Sequence, residues 1–87
     1  MNATVVITGA GGVLCSGFAE HLAGQGYRVA LLDLNGEAAE AAAQRITASG
    51  GTARAYACNV LKREELRAVH ARIREELGAC DILINGA

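Results

Sequence analysis

Gly9, Gly11 and Gly12 stand between a β-branched run, Thr4 to Thr8, and the start of a helix-forming segment. A strand that feeds a glycine turn into a helix is how α/β proteins hold the phosphates of a dinucleotide. The turn brings bare backbone N–H groups to the ligand, and the helix N-terminus adds roughly half a positive charge. A side chain in such a turn would block the pyrophosphate or forbid the positive φ that the turn needs. The same residues could also make a tight turn that holds nothing, so a second signal is required. Asp33 supplies it, 24 positions after Gly9 and near the end of the apolar run Arg28 to Leu34. A carboxylate there can accept hydrogen bonds from both hydroxyls of an adenosine ribose. It also repels a 2′-phosphate, which favours NAD over NADP. No arginine or lysine follows it at Leu34 or Asn35, and none lies in the glycine turn. Taken alone, Asp33 is also readable as a solvated acid at a strand end.

These residues need elements to position them, and the pattern provides alternating strands and helices. After the turn, Leu14, Phe18 and Leu22 recur every four residues, predicting an amphipathic helix that buries them and ends at Gly24 and Gly26. Arg28 to Leu34 suits a strand buried on both faces of a parallel sheet. A second helix is expected from Gly36 to Ala48, with Ala39, Ala42, Ala43 and Ile46 inward and Glu37, Glu40 and Gln44 outward. Ala53 to Val60 reads as a third strand with the polar Asn59 at its end. Arg63 to Leu77 follows as a third helix with a Leu66, Val69, Ile73, Leu77 stripe, and Asp81 to Asn85 as a fourth strand. The expected fold is α/β, one half of a Rossmann-type doubly wound parallel sheet with strand order 3-2-1-4. Residues 1–87 form one dinucleotide-binding half-domain. Its fourth strand would offer an unpaired edge of Ile82, Leu83 and Ile84, which natural proteins normally cover. The chain is therefore expected to be the front part of a longer protein, truncated before its catalytic segment.

Composition narrows the function classes. The chain has 87 residues, a net charge of −1 and no basic cluster, which argues against nucleic acid as the main partner. No apolar run approaches the roughly 20 residues of a membrane span, and Met1 leads almost at once into a strand without a basic leader. A cytoplasmic location is the default expectation. Cys15, Cys58 and Cys80 are odd in number and widely spaced, so neither a disulfide framework nor a zinc site is indicated, and reduced, buried thiols are expected. His21 and His70 fall on separate helices without an obvious partner.

Thr8-Gly9, the glycine turn, Asp33, Asn59-Val60 and the closing Asp81-Ile82-Leu83-Ile84-Asn85-Gly86-Ala87 resemble the short-chain dehydrogenase/reductase family, in the right order along the whole chain. That family has a T-G-x3-G-x-G turn, an acidic or basic selector after strand two, a D-V pair after strand three and N-N-A-G after strand four. This sequence departs from the pattern in four places. Val13 and Cys15 stand at two of its glycine positions, with Gly12 as second glycine in the manner of a wider-spaced variant. Asn59 replaces the acid that contacts the adenine amino group, although its amide oxygen can still accept that bond. Gly86 replaces the second asparagine. Together, TGAGGVLCSG and CDILINGA are most similar to a subgroup that resembles D-mannonate oxidoreductases, which act on sugar acids.

The resemblance implies a role for each matching position. The backbone of Gly9, Gly11 and Gly12, with Leu14 beside it, would cradle the pyrophosphate of NAD. Asp33 would bind the adenosine ribose, and Asn59 with Val60 would frame the adenine. Asn85, Gly86 and Ala87 would lie under the adenosine side and the nicotinamide ribose. The implied reaction is hydride transfer between the nicotinamide and a small-molecule hydroxyl or carbonyl substrate, in a homo-oligomer. The family's serine and Y-x-x-x-K pair are not here: Leu31 follows Tyr27 by four residues and Val60 follows Tyr56, and Lys62 is the single lysine. Catalytic residues are expected beyond Ala87. Two other readings stay open, a free-standing nucleotide-binding module without catalysis and a helix–sheet domain whose turn holds no ligand.

Overall fold

The computed structural model describes residues 3–86. Strands and helices alternate as β1 (Thr4–Thr8), α1 (Val13–Gly24), β2 (Arg28–Asp33), α2 (Gly36–Ala48), β3 (Thr52–Ala57), α3 (Arg63–Glu76) and β4 (Cys80–Asn85). All strand pairs are parallel and the order is β3-β2-β1-β4, as the alternating pattern predicted. Val5 lies opposite Val29, and Val29 opposite Ala53; at the other end of β1, Thr8 lies opposite Asn85.

The two-residue period of the strands divides the apolar residues between two cores. Val5, Ile7, Val29 and Leu31 face α1 and α2, where they meet Ala19, Ala23, Ala39, Ala42 and Ile46. Val6, Ala30 and Leu32 face the other way, against Val69, Ile73 and Leu77 at the α3 side, with Tyr56. β1 is fully buried and β2 buried between its end residues, so the two central strands form the floor of both cores. β3 and β4 are the edges, and Ile82 and Leu83 of β4 are 40% and 60% exposed. Each helix is followed by a glycine in the left-handed region, Gly26, Gly50 and Gly78 (φ 97, 90 and 107), which turns the chain back toward the sheet.

The inward faces of α2 and α3 follow the expected stripes, with Leu66 only partly buried. That of α1 does not. Its buried residues are Ser16, Ala19 and Ala23, while Leu14 and Phe18 are 86% and 45% exposed and Leu22 is half-buried. A repeat of four residues advances about 40° beyond a full turn at each step. The Leu14–Phe18–Leu22 row therefore winds around the helix and reaches the core only at its last member. Small residues take the central positions, and they let the helix lie close to the sheet.

The third strand is shorter than predicted, ending at Ala57, so Cys58, Asn59 and Val60 lie outside it. The Cys58 N–H still donates to the carbonyl of Asp33, the last residue of β2 (2.9 Å). Beyond it, the Asn59 side-chain oxygen accepts from the Leu61 N–H (3.0 Å), and this side-chain turn takes the chain out of the sheet toward α3. The thiols also differ from expectation. Cys58 alone is buried; Cys15 is half-buried in the first turn of α1, and Cys80 is exposed where edge strand β4 begins.

Candidate dinucleotide site

The carboxyl ends of β1, β2, β3 and β4 lie at one end of the sheet, and the strand order reverses between β1 and β4. A crevice at such a switch point is where open α/β sheets bind ligands. The glycine turn crosses it. Gly9 has a φ of 66. The Ala10 N–H donates to the Leu32 carbonyl (3.0 Å) and the Gly12 N–H to the Gly9 carbonyl (3.3 Å), fixing the turn to β2 and to itself.

Asp33 is bound into this turn. One carboxylate oxygen, Oδ2, accepts from the Gly11 N–H and the other, Oδ1, from the Asn35 N–H, both at 2.8 Å. Each oxygen retains a lone pair for a further donor. Gly11 cannot carry a side chain in this arrangement: a Cβ there would lie 2.6 Å from Ala38 Cβ and 2.9 Å from Asp33 Oδ2. The first turn of α2 thus presses on the glycine turn, and Asn35 caps that helix by accepting from the Ala38 N–H (3.2 Å).

α1 begins differently from the other helices. Its N-cap is Gly12, no side chain caps it, and its first turn carries no acid. α2 has the Asn35 cap and Glu37, and α3 has Glu64 and Glu65 in its first turn. Like α1, α3 has no side-chain cap, but among these three helices α1 alone carries no acid at its positive dipole end. That end attracts an anion.

A cleft of about 290 Å³ opens beside the turn between Gly9, Asp33, Asn59 and Val60, with Leu34 and Cys58 also in its wall. Four predicted site residues thus meet in one hollow. Leu14 stands exposed on the first turn of α1. At the tip of β4, Asn85 Oδ1 accepts from the Thr8 hydroxyl (2.9 Å), and the Gly86 N–H donates to the Thr8 carbonyl (3.2 Å). Ala87 lies outside the described residues. Asn59 is tied into its own loop, for its N–H donates to Glu65 Oε1 (3.1 Å) while its side-chain oxygen serves Leu61. Burial pushes the Cys58 thiol up, with the Glu65 carboxylate adding to the effect, which disfavours the thiolate of this wall residue.

The sequence pattern gives no site role to Ala38 or Cys58, and it marks Thr8 only as part of the Thr8-Gly9 motif. A polar residue ending an apolar strand was a usable signal for Thr8, whereas the contact of Ala38 with Gly11 exists only once the sheet is assembled. A larger hollow, about 560 Å³, runs along the outer edge of β3 near Arg54, Arg72 and Glu76. Both of its arginines are paired with one acid, Glu76 lying 3.9 Å from Arg54 and 3.8 Å from Arg72. The Tyr56 hydroxyl also donates to Glu76 (2.5 Å). The strand ends therefore remain the candidate site.

The sequence profile described as short chain dehydrogenase matches residues 3–87. The chain is 54% identical over 86 residues to an uncharacterized oxidoreductase of Haemophilus influenzae, covering 99% of this chain and 30% of that protein. A solved structure described as a D-mannonate oxidoreductase from Haemophilus influenzae with bound NAD superposes with a TM-score of 0.97 at 53% identity, over 99% of this chain and 31% of that one. A metagenomic short-chain oxidoreductase in complex with NADP superposes with a TM-score of 0.86 at 29% identity, over 94% of this chain and 37% of that one. The chain thus spans about a third of the length of these relatives.

Proposed function

The chain belongs to the short-chain dehydrogenase family, and from that premise we propose that it is the dinucleotide-binding part of an NAD-dependent oxidoreductase. The substrate class is a small hydroxyl or carbonyl compound, and the likeness to a D-mannonate oxidoreductase favours a sugar acid such as mannonate or fructuronate. The observation that carries the cofactor reading is the setting of Asp33. Its carboxylate borders the cleft beside Gly9, is oriented by two backbone N–H groups, and has lone pairs left for two ribose hydroxyls. A 2′-phosphate would meet that negative charge in a cleft whose lining, among the described residues, contains no arginine or lysine to offset it.

The remaining residues divide the ligand between them. The bare start of α1 holds the pyrophosphate by N–H donation and dipole, and the Gly9–Gly12 turn, whose Ala10, Gly11 and Gly12 N–H groups are engaged within the chain, gives it a side-chain-free approach. Val60 and Asn59 form the wall against which the adenine rests. Asn85 and Gly86, tied to Thr8, support the part of the cofactor that leads to the nicotinamide, and Ala87 continues from them by family resemblance. The cofactor supplies hydride chemistry at its nicotinamide; this chain supplies its placement. The proton that accompanies the hydride is not handled by either tyrosine here. Tyr56 is 2% exposed and donates to Glu76, and Tyr27 packs against the α1–α2 core. In the full protein that step falls to residues outside this chain. Because no Tyr-x-x-x-Lys pair lies within it, a nucleotide-binding module without catalysis is the second reading, distinguished by the absence of NAD-linked turnover.

Titration of the native protein and of Asp33→Ala with NAD and with NADP tests the proposal. Two charge-assisted hydrogen bonds are at stake, so NAD affinity should fall about 10- to 100-fold. NADP affinity should hold or rise. Equal losses for both cofactors would remove Asp33 from the selector role.

A further inference from the structure

Two of the positions that depart from the family's pattern, Cys15 and Gly86, are in contact although they are far apart in sequence. Cys15 lies in the first turn of α1, half-buried against the core that α1 and α2 share. A Cβ built on Gly86 would run into Cys15 Sγ, and it would also lie 2.9 Å from the Thr8 carbonyl oxygen. The backbone of Gly86 is not free to back away. Its N–H donates to both the carbonyl and the hydroxyl oxygen of Thr8, each at 3.2 Å. The Thr8 hydroxyl donates in turn to Asn85 Oδ1 (2.9 Å). The tip of β4 is thus held by Thr8 on one side and meets a sulfur atom on the other.

We infer that Cys15 and Gly86 are one size-matched positioning pair. The sulfur occupies the volume that a side chain at position 86 would need, and so it sets the separation between the first turn of α1 and the tip of β4. Glycine at position 15 with asparagine at position 86, as in the family's pattern, distributes the same volume the other way. Each departure is tolerated because the other accompanies it. The consequence for binding rests on the dinucleotide reading. On that reading the pyrophosphate lies over the first turn of α1 and the nicotinamide ribose lies at the tip of β4, so this separation matches the span between them. Neither residue takes part in hydride transfer; both act through the backbone that they space.

The test is a double-mutant cycle in the protein as its gene encodes it, comprising Gly86→Asn, Cys15→Gly and the two together. Each variant is assayed for thermal unfolding without ligand, for NAD affinity and for affinity toward AMP, which carries the adenosine end and one phosphate but no nicotinamide ribose. Overpacking by Gly86→Asn should lower the melting temperature by about 5 °C and weaken NAD by about tenfold. AMP affinity should fall clearly less than NAD affinity, because AMP does not reach the tip of β4. The double variant should recover the part of both losses that the sulfur causes, while the contact with the Thr8 carbonyl remains; such coupling is expected of residues in contact. If Gly86→Asn does not fold, the double variant must fold. The inference is overturned if the two substitutions simply add, if Gly86→Asn matches the native protein, if the double variant also fails to fold, or if AMP and NAD weaken equally. A native protein that binds no NAD would count against the dinucleotide reading instead, and the melting temperatures would still decide the coupling.

Discussion

At the scale of single residues, the site depends on how closely Gly11, Asp33 and Ala38 approach one another. The Gly11 N–H orients the carboxylate, and the missing side chain of Gly11 makes room for Ala38. Gly11→Ala places a methyl group where Ala38 Cβ and Asp33 Oδ2 already stand. It is expected to cost about 1–3 kcal/mol of stability and to weaken NAD by displacing Asp33. Chemical denaturation and NAD titration check this together, and Gly11→Ala combined with Ala38→Gly should regain part of both. A Gly11→Ala protein with native stability would contradict the close contact. Asp33 was legible in the sequence because an acid ending an apolar run has few explanations. Ala38 was not, since an alanine in an alanine-rich helix carries no mark of which neighbour it touches.

At the scale of elements, the start of α1 and the anchoring of β3 to α3 each carry a prediction. Val13 is 94% exposed in a first turn that lacks any acid. Val13→Asp should stabilise the helix by about 0.3–1 kcal/mol through the dipole and yet weaken NAD, because the new charge repels the pyrophosphate. Opposite signs in thermal unfolding and cofactor titration are the expected signature. A gain in both would mean that no phosphate lies there. On the other face, Tyr56 of β3 donates to Glu76 of α3, and the Arg72 guanidinium lies 5.0 Å from its ring centre. Burial, then the hydrogen bond and charge of Glu76, push its hydroxyl well above the usual tyrosine range. The folded chain therefore keeps this proton at pH values where the unfolded chain, with a tyrosine pKa of about 10, has lost it. The stabilisation is complete below that pH and is lost as pH rises above it. Tyr56→Phe should lower stability by about 1 kcal/mol at neutral pH and flatten the alkaline decline, as pH-dependent denaturation would measure. An unchanged alkaline decline would contradict this account.

The elements also show where a sequence pattern stops being informative. α2 announced its buried face through Ala39, Ala42, Ala43 and Ile46, because alanines and an isoleucine at helical spacing leave one choice of face. In α1 the spacing of the larger residues Leu14 and Phe18 predicts a buried stripe, but the helix buries Ser16, Ala19 and Ala23. The rotation of a helix is set by how its first turn joins the strand before it, and hydrophobicity alone does not carry that information. β3 stops three residues short of the expected Val60 for a related reason. Cys58 and Val60 have strand-like side chains, yet the partner strand β2 has already ended at Asp33.

At the scale of the whole molecule, the parallel order β3-β2-β1-β4 brings residues from the glycine turn, β2 and the loop after β3 to one cleft, Gly9, Asp33, Asn59 and Val60 among them. The order was legible because strand–helix alternation with right-handed crossovers leaves little freedom. The contact between Cys15 and Gly86 was not, since it depends on distances across the sheet end. Among the described residues, no helix is long and apolar enough to cross a membrane. Exposed apolar residues gather on α1 at Leu14 and Phe18 and on β4 at Ile82 and Leu83, on a chain about a third as long as its relatives.

The most direct measurement is a crystal structure of the protein grown with NAD. The expected density has the adenosine ribose hydroxyls within hydrogen-bonding distance of Asp33, the adenine against Val60 and the pyrophosphate over the first turn of α1. NAD seated in the hollow along β3, or turned so that Asp33 faces no ribose hydroxyl, would contradict it.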